Sequence, residues 1–405
     1  MKRILVFMLC IILLGGCTRK TDTQASLPLR VWVGDQADIP WMEQVIRDFH
    51  AAYPERELDI RTGVQNEGDV AKVILADVES AADIFTFADD QMNDLLSAGA
   101  LLPLIEDPDS VRNANTPESV AAATGPDGQL YAWPATADNG YFLFYNSAYI
   151  TPGDAASFER LLARAAENGR KVAFPMANAW YLYSFFAGAG LQMQLSEDGV
   201  TNTCTWNATD APITGVQVLS SLLELAAHPG FVEADSDAFV AGLKDGSIIA
   251  GVSGTWNANV ARQVWGEHYA AAKLPTYRVA EQEVQMASFS GFKLVGVNAY
   301  SANAGDALDL AAFMTAYDAQ MDRFAMRRQG PSNVAALSSP DVQAEPAIVA
   351  LSAQAPYADV QRVGSKYWDA AGTLGKIIAS GNPESIPLQT LLDNCVAGIT
   401  APADQ

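Results

Sequence analysis

Several short stretches gather aromatic rings and small polar side chains: Phe87-Ala88-Asp89-Asp90-Gln91, Ala137-Asp138-Asn139, Asn178-Ala179-Trp180-Tyr181 and Gly254-Thr255-Trp256-Asn257, with Lys366-Tyr367-Trp368-Asp369 later in the chain. Asp35 adds a carboxylate in a glycine-bearing loop just after Trp32. A neutral sugar suits such a set. Its C–H face stacks on an indole or phenol ring, an ionised Asp accepts from neighbouring hydroxyls with charge-assisted strength, and Asn or Gln completes the pattern. Each element also has a structural reading. A Trp near a strand end can be core filler, Asp89 or Asp90 can cap the helix that follows, and Asp138-Asn139-Gly140 can be a simple turn.

Other chemistries find little support. The sequence has no P-loop, dinucleotide fingerprint or His-Glu-x-x-His zinc motif. Gly251-Val252-Ser253-Gly254-Thr255 falls one residue short of a nucleophile elbow, and no histidine is placed to act as its base. His50, His228 and His268 stand alone, without a second ligand at helical spacing, so neither a metal site nor a cofactor is implied.

The elements that must carry these residues alternate between strand and helix. Leu27, Leu29, Val31 and Val33 have the period of a strand with one face on a core, and Leu58, Ile60, Thr62 and Val64 repeat it. Between them Met42, Val45, Ile46 and Phe49 mark a helix, with Pro40 near its start and Pro54 at its end. A right-handed crossover makes such strands parallel. Further helices are expected over 69–78 and 90–99 and a strand over 83–87. Beyond the Pro126-Asp127-Gly128 turn, strands are expected over 130–134 and 141–145. A helix over 158–166, a strand over 172–174, helices over 213–227 and 238–243, and a buried strand over 248–252 follow. From Ala304 onward the pattern is mostly helical. The fold class is therefore α/β. In open α/β sheets ligands sit outside the carboxyl ends of strands, where most of the singled-out stretches fall.

With 405 residues, 49% of them apolar, the chain can bury a large core in two or three domains. Its formal charge of -22 repels phosphate backbones and anionic lipid head groups, which argues against nucleic-acid partners. The first residues read as an export signal: Lys2 and Arg3, then an apolar run from Ile4 to Leu14 that is too short to span a bilayer. The Leu14-Gly15-Gly16-Cys17 ending resembles the bacterial lipobox, in which the Cys becomes the lipidated first residue of the mature protein. An ordinary signal peptide cut nearby is the alternative. Residues 1–16 would then be the signal and 17–26 a linker. Cys10 leaves with the signal, and Cys204 and Cys395 remain as the one candidate disulfide pair in an exported chain.

At Leu29-Arg30-Val31-Trp32-Val33-Gly34-Asp35, Ala82 to Gln91, Asp127 to Pro134, Phe144-Tyr145-Asn146, Ala241 to Gly246, Ser253 to Trp256 and Ser365 to Trp368, the sequence resembles the extracellular solute-binding proteins of bacterial ABC importers, family 1, of the maltose and maltodextrin-binding type. The resemblance covers nearly the whole mature chain. It implies two α/β lobes across a ligand cleft, joined by a multi-segment hinge that closes on sugar. Lobe one would comprise residues 27–136 and 294–338, and lobe two 137–293 and 339–405. Asp90 matches a family acid that binds sugar hydroxyls, Asp138 an acid beside the hinge strand, and Trp180, Trp256 and Trp368 the aromatic platforms. Phe87, Gln91 and Asn178 depart from the pattern, standing where maltose-binding members have Trp, Arg and Glu. The expected protein is a lipid-tethered receptor that binds an oligosaccharide, maltose or maltodextrin first, and passes it to ABC permease subunits without catalysis. A glycoside hydrolase and a polyamine receptor on the same fold are the competing readings.

Overall fold

The computed structural model describes residues 28–196 and 199–402. The expected export signal and linker, with Cys17, lie outside them. Two mixed sheets, each of five strands, form the centres of two lobes.

In the first sheet the strand order is Ile60–Val64, Leu29–Val33, Ile84–Ala88, Lys293–Val297, Ala132–Thr136. Leu29, Val31 and Val33 are buried while Arg30 and Trp32 are half-buried, as their alternation requires. The helix Ile39–Ala52 buries Trp41, Met42, Val45 and Phe49 and carries the chain to a strand parallel to the first. Ile84–Ala88 is buried on both faces, which is why its sequence reads as an unbroken apolar run. Lys293–Val297 inserts antiparallel between Ile84–Ala88 and Ala132–Thr136. A segment two hundred residues downstream thus completes the first core, and helices Ala304–Met314 and Tyr317–Arg327 cover it.

The second sheet runs Tyr269–Ala272, Phe142–Asn146, Ile248–Ser253, Lys171–Ala173, Phe231–Val232. Its core takes in the helices Phe158–Glu167, Ala179–Gly188 and Gly215–Ala226 and, from the end of the chain, Lys366–Ala379 and Leu388–Ile399. Trp206 lies fully buried there, stacked on Phe186 with ring centroids 4.0 Å apart.

The chain passes between the two sheets at 137–141 and 288–292, which run side by side with Asn139 N donating to the Gly291 carbonyl, and a third segment at 328–333 lies against the first, Ala137 N donating to the Gly330 carbonyl. Within the second passage, Ser288–Ser290 pairs in parallel with Ala358–Val360 to make a two-stranded hinge sheet. Strand ends of both sheets lead into short turns. Ile84–Ala88 runs into the turn Asp89–Gln91, and Ile248–Ser253 runs through Gly254 into the turn Thr255–Asn257.

Gly215 opens its helix against the carbonyl oxygen of Trp206, where any Cβ would collide, with Leu392 Cδ1 2.9 Å away. Gly215→Ala should lower stability by about 2–3 kcal/mol in urea denaturation. Gly153→Ala, whose Cβ would meet only Thr151 Oγ1 at 3.7 Å, should leave the midpoint unchanged.

Candidate functional site

A cleft of about 830 Å³ lies between the lobes, within the roughly 300–1,000 Å³ typical of small-molecule sites. One wall is aromatic and comes from the second lobe. Asn178 caps the helix Ala179–Gly188 by accepting from the Trp180 backbone N–H at 2.9 Å, which sets Trp180 in its first turn at the rim. The indole is held edge-on by Tyr141, with centroids 4.6 Å apart, and by Tyr181. Trp256 stands 5.8 Å from Trp180 between ring centroids, at an interplanar angle of 36°. Its ring lies directly over Gly254, where a Cβ would strike the indole; only glycine lets it sit that close to the backbone. Trp368 completes the wall from helix Lys366–Ala379, half-buried beside Tyr367 and Phe289. It also borders two neighbouring hollows, so the grooves meet at its ring.

The opposite wall is ionic and belongs to the first lobe. Glu67, in the loop after Ile60–Val64, pairs with Lys293 Nζ at 2.6 Å and with Arg323 at 3.6 Å. Arg323 also reaches Asp38 at 3.7 Å, and Arg327 pairs with Asp38 at 2.9 Å and with Asp35 at 3.6 Å. Three cations thus answer three carboxylates. Burial pushes the Glu67 carboxyl up, but Lys293 and Arg323 outweigh it and hold the group below the ordinary range. Lys293 Nζ also lies 5.8 Å from the Trp256 ring, across the cleft.

Asp90 differs from these. Burial raises its carboxyl to about 6, opposed by a hydrogen bond from Gln361 and assisted by the charge of Asp94. It lines the cleft, and its buried Oδ1 has no hydrogen-bond partner. A buried acceptor left open costs free energy until something donates to it.

Of the residues singled out from the sequence, the structure brings Asp35, Asp90, Asn139, Trp180, Tyr181, Trp256 and Trp368 to this cleft. Others lie elsewhere. Phe87 is fully buried in the first core beside Phe85 and faces no cavity, because every side chain of its strand is packed. Gln91 is turned inward, accepting from Ala71 N at 2.8 Å and donating to the Glu67 carbonyl. Asp89 accepts from Phe292 N at 2.9 Å; burial raises its carboxyl to about 7. Asp138 accepts from Gly330 N and from Thr255 Oγ1, each at 2.5 Å. Asn257 donates to Ser236 and Ser253 at 2.9 Å. Cys204 and Cys395 are unbonded thiols, both pushed up to about 12 by burial; Cys395 sits on the inward face of the helix Leu388–Ile399.

The sequence reading missed Asp38, Glu67, Lys293, Arg327 and Gln361. Glu67 and Asp38, which follow the strands Ile60–Val64 and Leu29–Val33, could have been found by the strand-end rule. Lys293, Arg327 and Gln361 sit on segments that return from far along the chain.

Residues 44–350 match the family model described as bacterial extracellular solute-binding protein. The chain belongs to this family. The galactooligosaccharide-binding protein of Bacillus subtilis is 23% identical over 417 residues, covering 96% of this chain and 95% of its own. A protein solved with acarbose is 28% identical, covers 92% of this chain and 98% of its own, and superimposes with a TM-score of 0.82. The maltodextrin-binding protein MalE1 of L. casei BL23, solved without ligand, is 24% identical over 93% of this chain and 100% of its own, with a TM-score of 0.74. This member of the solute-binding family has the two-lobed architecture expected of it. Its relatives are binding proteins rather than enzymes, which sets the hydrolase reading aside.

Asp90 also leaves a mark on stability. A carboxyl raised in the folded state favours folding fully only below its unfolded value of about 4, and that contribution is lost as pH rises through about 6. Asp90→Asn should therefore gain about 1–3 kcal/mol on the wild type between about pH 4.5 and 7.5, read by urea denaturation of the ligand-free protein at both pH values. A constant difference would contradict the burial of the ionised group.

Proposed function

We propose that this solute-binding protein captures a neutral oligosaccharide, with maltose or maltodextrin first among its ligands, by closing its two lobes over the sugar. A lipid on Cys17 would tether it outside the membrane, and the loaded form would hand the sugar to the permease of an ABC importer. The observation that carries the reading is the composition of one cleft: the half-buried rings of Trp180, Trp256 and Trp368 on one wall and Asp90, with an open acceptor, on the other. Rings offer flat apolar faces to sugar C–H groups, and the acid orients the hydroxyls.

Charge argues against an anionic ligand, since Asp69, Asp90, Asp235 and Asp237 also line the cleft. The cations Lys293, Arg323 and Arg327 are already matched by Glu67, Asp38 and Asp35, so the ionic wall offers its spare lone pairs and N–H groups without demanding a counter-ion. The relatives add a chemical direction, since their names refer to galactooligosaccharide, acarbose and maltodextrin. Two facing walls support closure. A ligand touching both walls has more contacts in the closed form, and that differential affinity is what shifts the population.

Calorimetry with maltose, maltotriose, acarbose, a galactooligosaccharide and spermidine tests the assignment. Maltotriose or acarbose should bind, and Trp256→Ala should weaken that binding at least about tenfold, or roughly 1.4 kcal/mol, with the thermal midpoint of the free protein little changed. Binding of spermidine alone would overturn the neutral-sugar reading in favour of a cation receptor.

A further inference from the structure

Asp138 is buried in the first passage and does not line the cleft. One of its oxygens, Oδ2, accepts from both Gly330 N and Thr255 Oγ1, each at 2.5 Å. The other, Oδ1, has no hydrogen-bond partner among the described residues, so these two bonds fix the carboxylate. Gly330 belongs to the third segment, where a Cβ would stand 3.0 Å from Asp138 Cβ and 2.9 Å from Ile348 Cδ1.

Thr255, itself buried, opens the turn Thr255–Asn257 that carries Trp256. At the far end of this turn Asn257 donates at 2.9 Å to Ser253, which ends the strand Ile248–Ser253, and to Ser236, which opens the helix Ser236–Asp245. The platform residue Trp256 therefore stands between two anchors. One lies on the segments that join the sheets, the other within the second lobe.

We propose that Asp138 is a positioning residue: through Thr255 its carboxylate sets the angle of the Trp256 ring and ties that angle to the segments between the lobes. A carboxylate accepts a hydroxyl proton more strongly than a neutral group does. Neither partner has water to fall back on, because leaving a buried polar group unpaired costs its desolvation. The indole lies directly over Gly254, so a shift of the Thr255 backbone reaches the ring from the adjoining residue. Asp138 thus acts on the ligand through Trp256 rather than by touching it. That consequence rests on the sugar-binding reading given above; the coupling itself does not.

The test begins without ligand. Indole N–H spectra of the full chain, with Trp256→Phe identifying the resonance, should show Trp256 displaced in Thr255→Val, which keeps the shape of the side chain and removes the donor. Trp41 and Trp206, buried in the two cores, should stay in place. Thr255→Ser, which keeps the hydroxyl, should return Trp256 to the wild-type position. Gly330→Ala, which presses a methyl group toward Asp138, should displace the same resonance in the wild-type background and not in Thr255→Val. A Trp256 resonance that Thr255→Val leaves unmoved, or that Gly330→Ala moves equally in both backgrounds, overturns the proposal.

Calorimetry with maltotriose then reads the consequence. Thr255→Val should weaken binding about fivefold in the wild-type background and cause no further loss in Trp256→Ala. Where the wild type binds, an equal loss in both backgrounds, or none in either, overturns the positioning role and leaves the neutral-sugar assignment intact. Displacement of the Trp256 resonance in a protein whose wild type binds no sugar would instead uphold the coupling and defeat the functional reading.

Discussion

Buried carboxylates that bond to the backbone of the passages between lobes are the interaction on which this molecule depends. Asp89 accepts from Phe292 N in the second passage, and Asp138, itself in the first, accepts from Gly330 N in the third. Asp138 also accepts from Thr255 of the second lobe. Each bond pins a chain segment that would otherwise have exposed or unpaired amides at the junction. Residues after the strand ends of both sheets line one cleft beside these segments. The two-stranded sheet of Ser288–Ser290 and Ala358–Val360 ties a further segment to the second passage beside these pins.

The walls divide the work. Rings of the second lobe are held by one another and by side-chain caps, so their faces are already presented to the cleft. The first lobe holds its charges in a network that leaves little net field, at the cost of desolvating several ions. Asp90 is outside that network. Its raised carboxyl and open oxygen make it a buried acceptor left unsatisfied by the fold, a feature that clusters at functional sites.

Much of this was legible in the sequence, and the parts that were not share a cause. The alternation of Leu29, Val31 and Val33, the helix from Ile39 to Ala52, the strand at Ile248–Ser253 and the clustering of polar residues after strand ends follow from periodicity and the strand-end rule. Trp180, Trp256 and Trp368 could be selected because rings beside short polar groups are unusual for pure core. Phe87 and Asn257 fooled the same rule: composition says which residues share a segment, but not which of two alternating directions each one takes. Gln91 and Asp89 were read as ligand groups where the helix and the second passage use them as acceptors. Lys293, Arg327 and Gln361 carry no local signal, since their place at the cleft comes from strands and helices that return after more than a hundred residues.

The central claim is that the rings of one lobe and the acid of the other grip a neutral sugar in one gap. Indole N–H resonances of the eight tryptophans, followed by NMR during titration with maltotriose, test it most directly. The expected result is saturable shifts for Trp180, Trp256 and Trp368, with Trp41 and Trp206, both buried in the cores, staying in place. Shifts confined to other tryptophans, or saturation of binding without any movement of these three, would contradict the account.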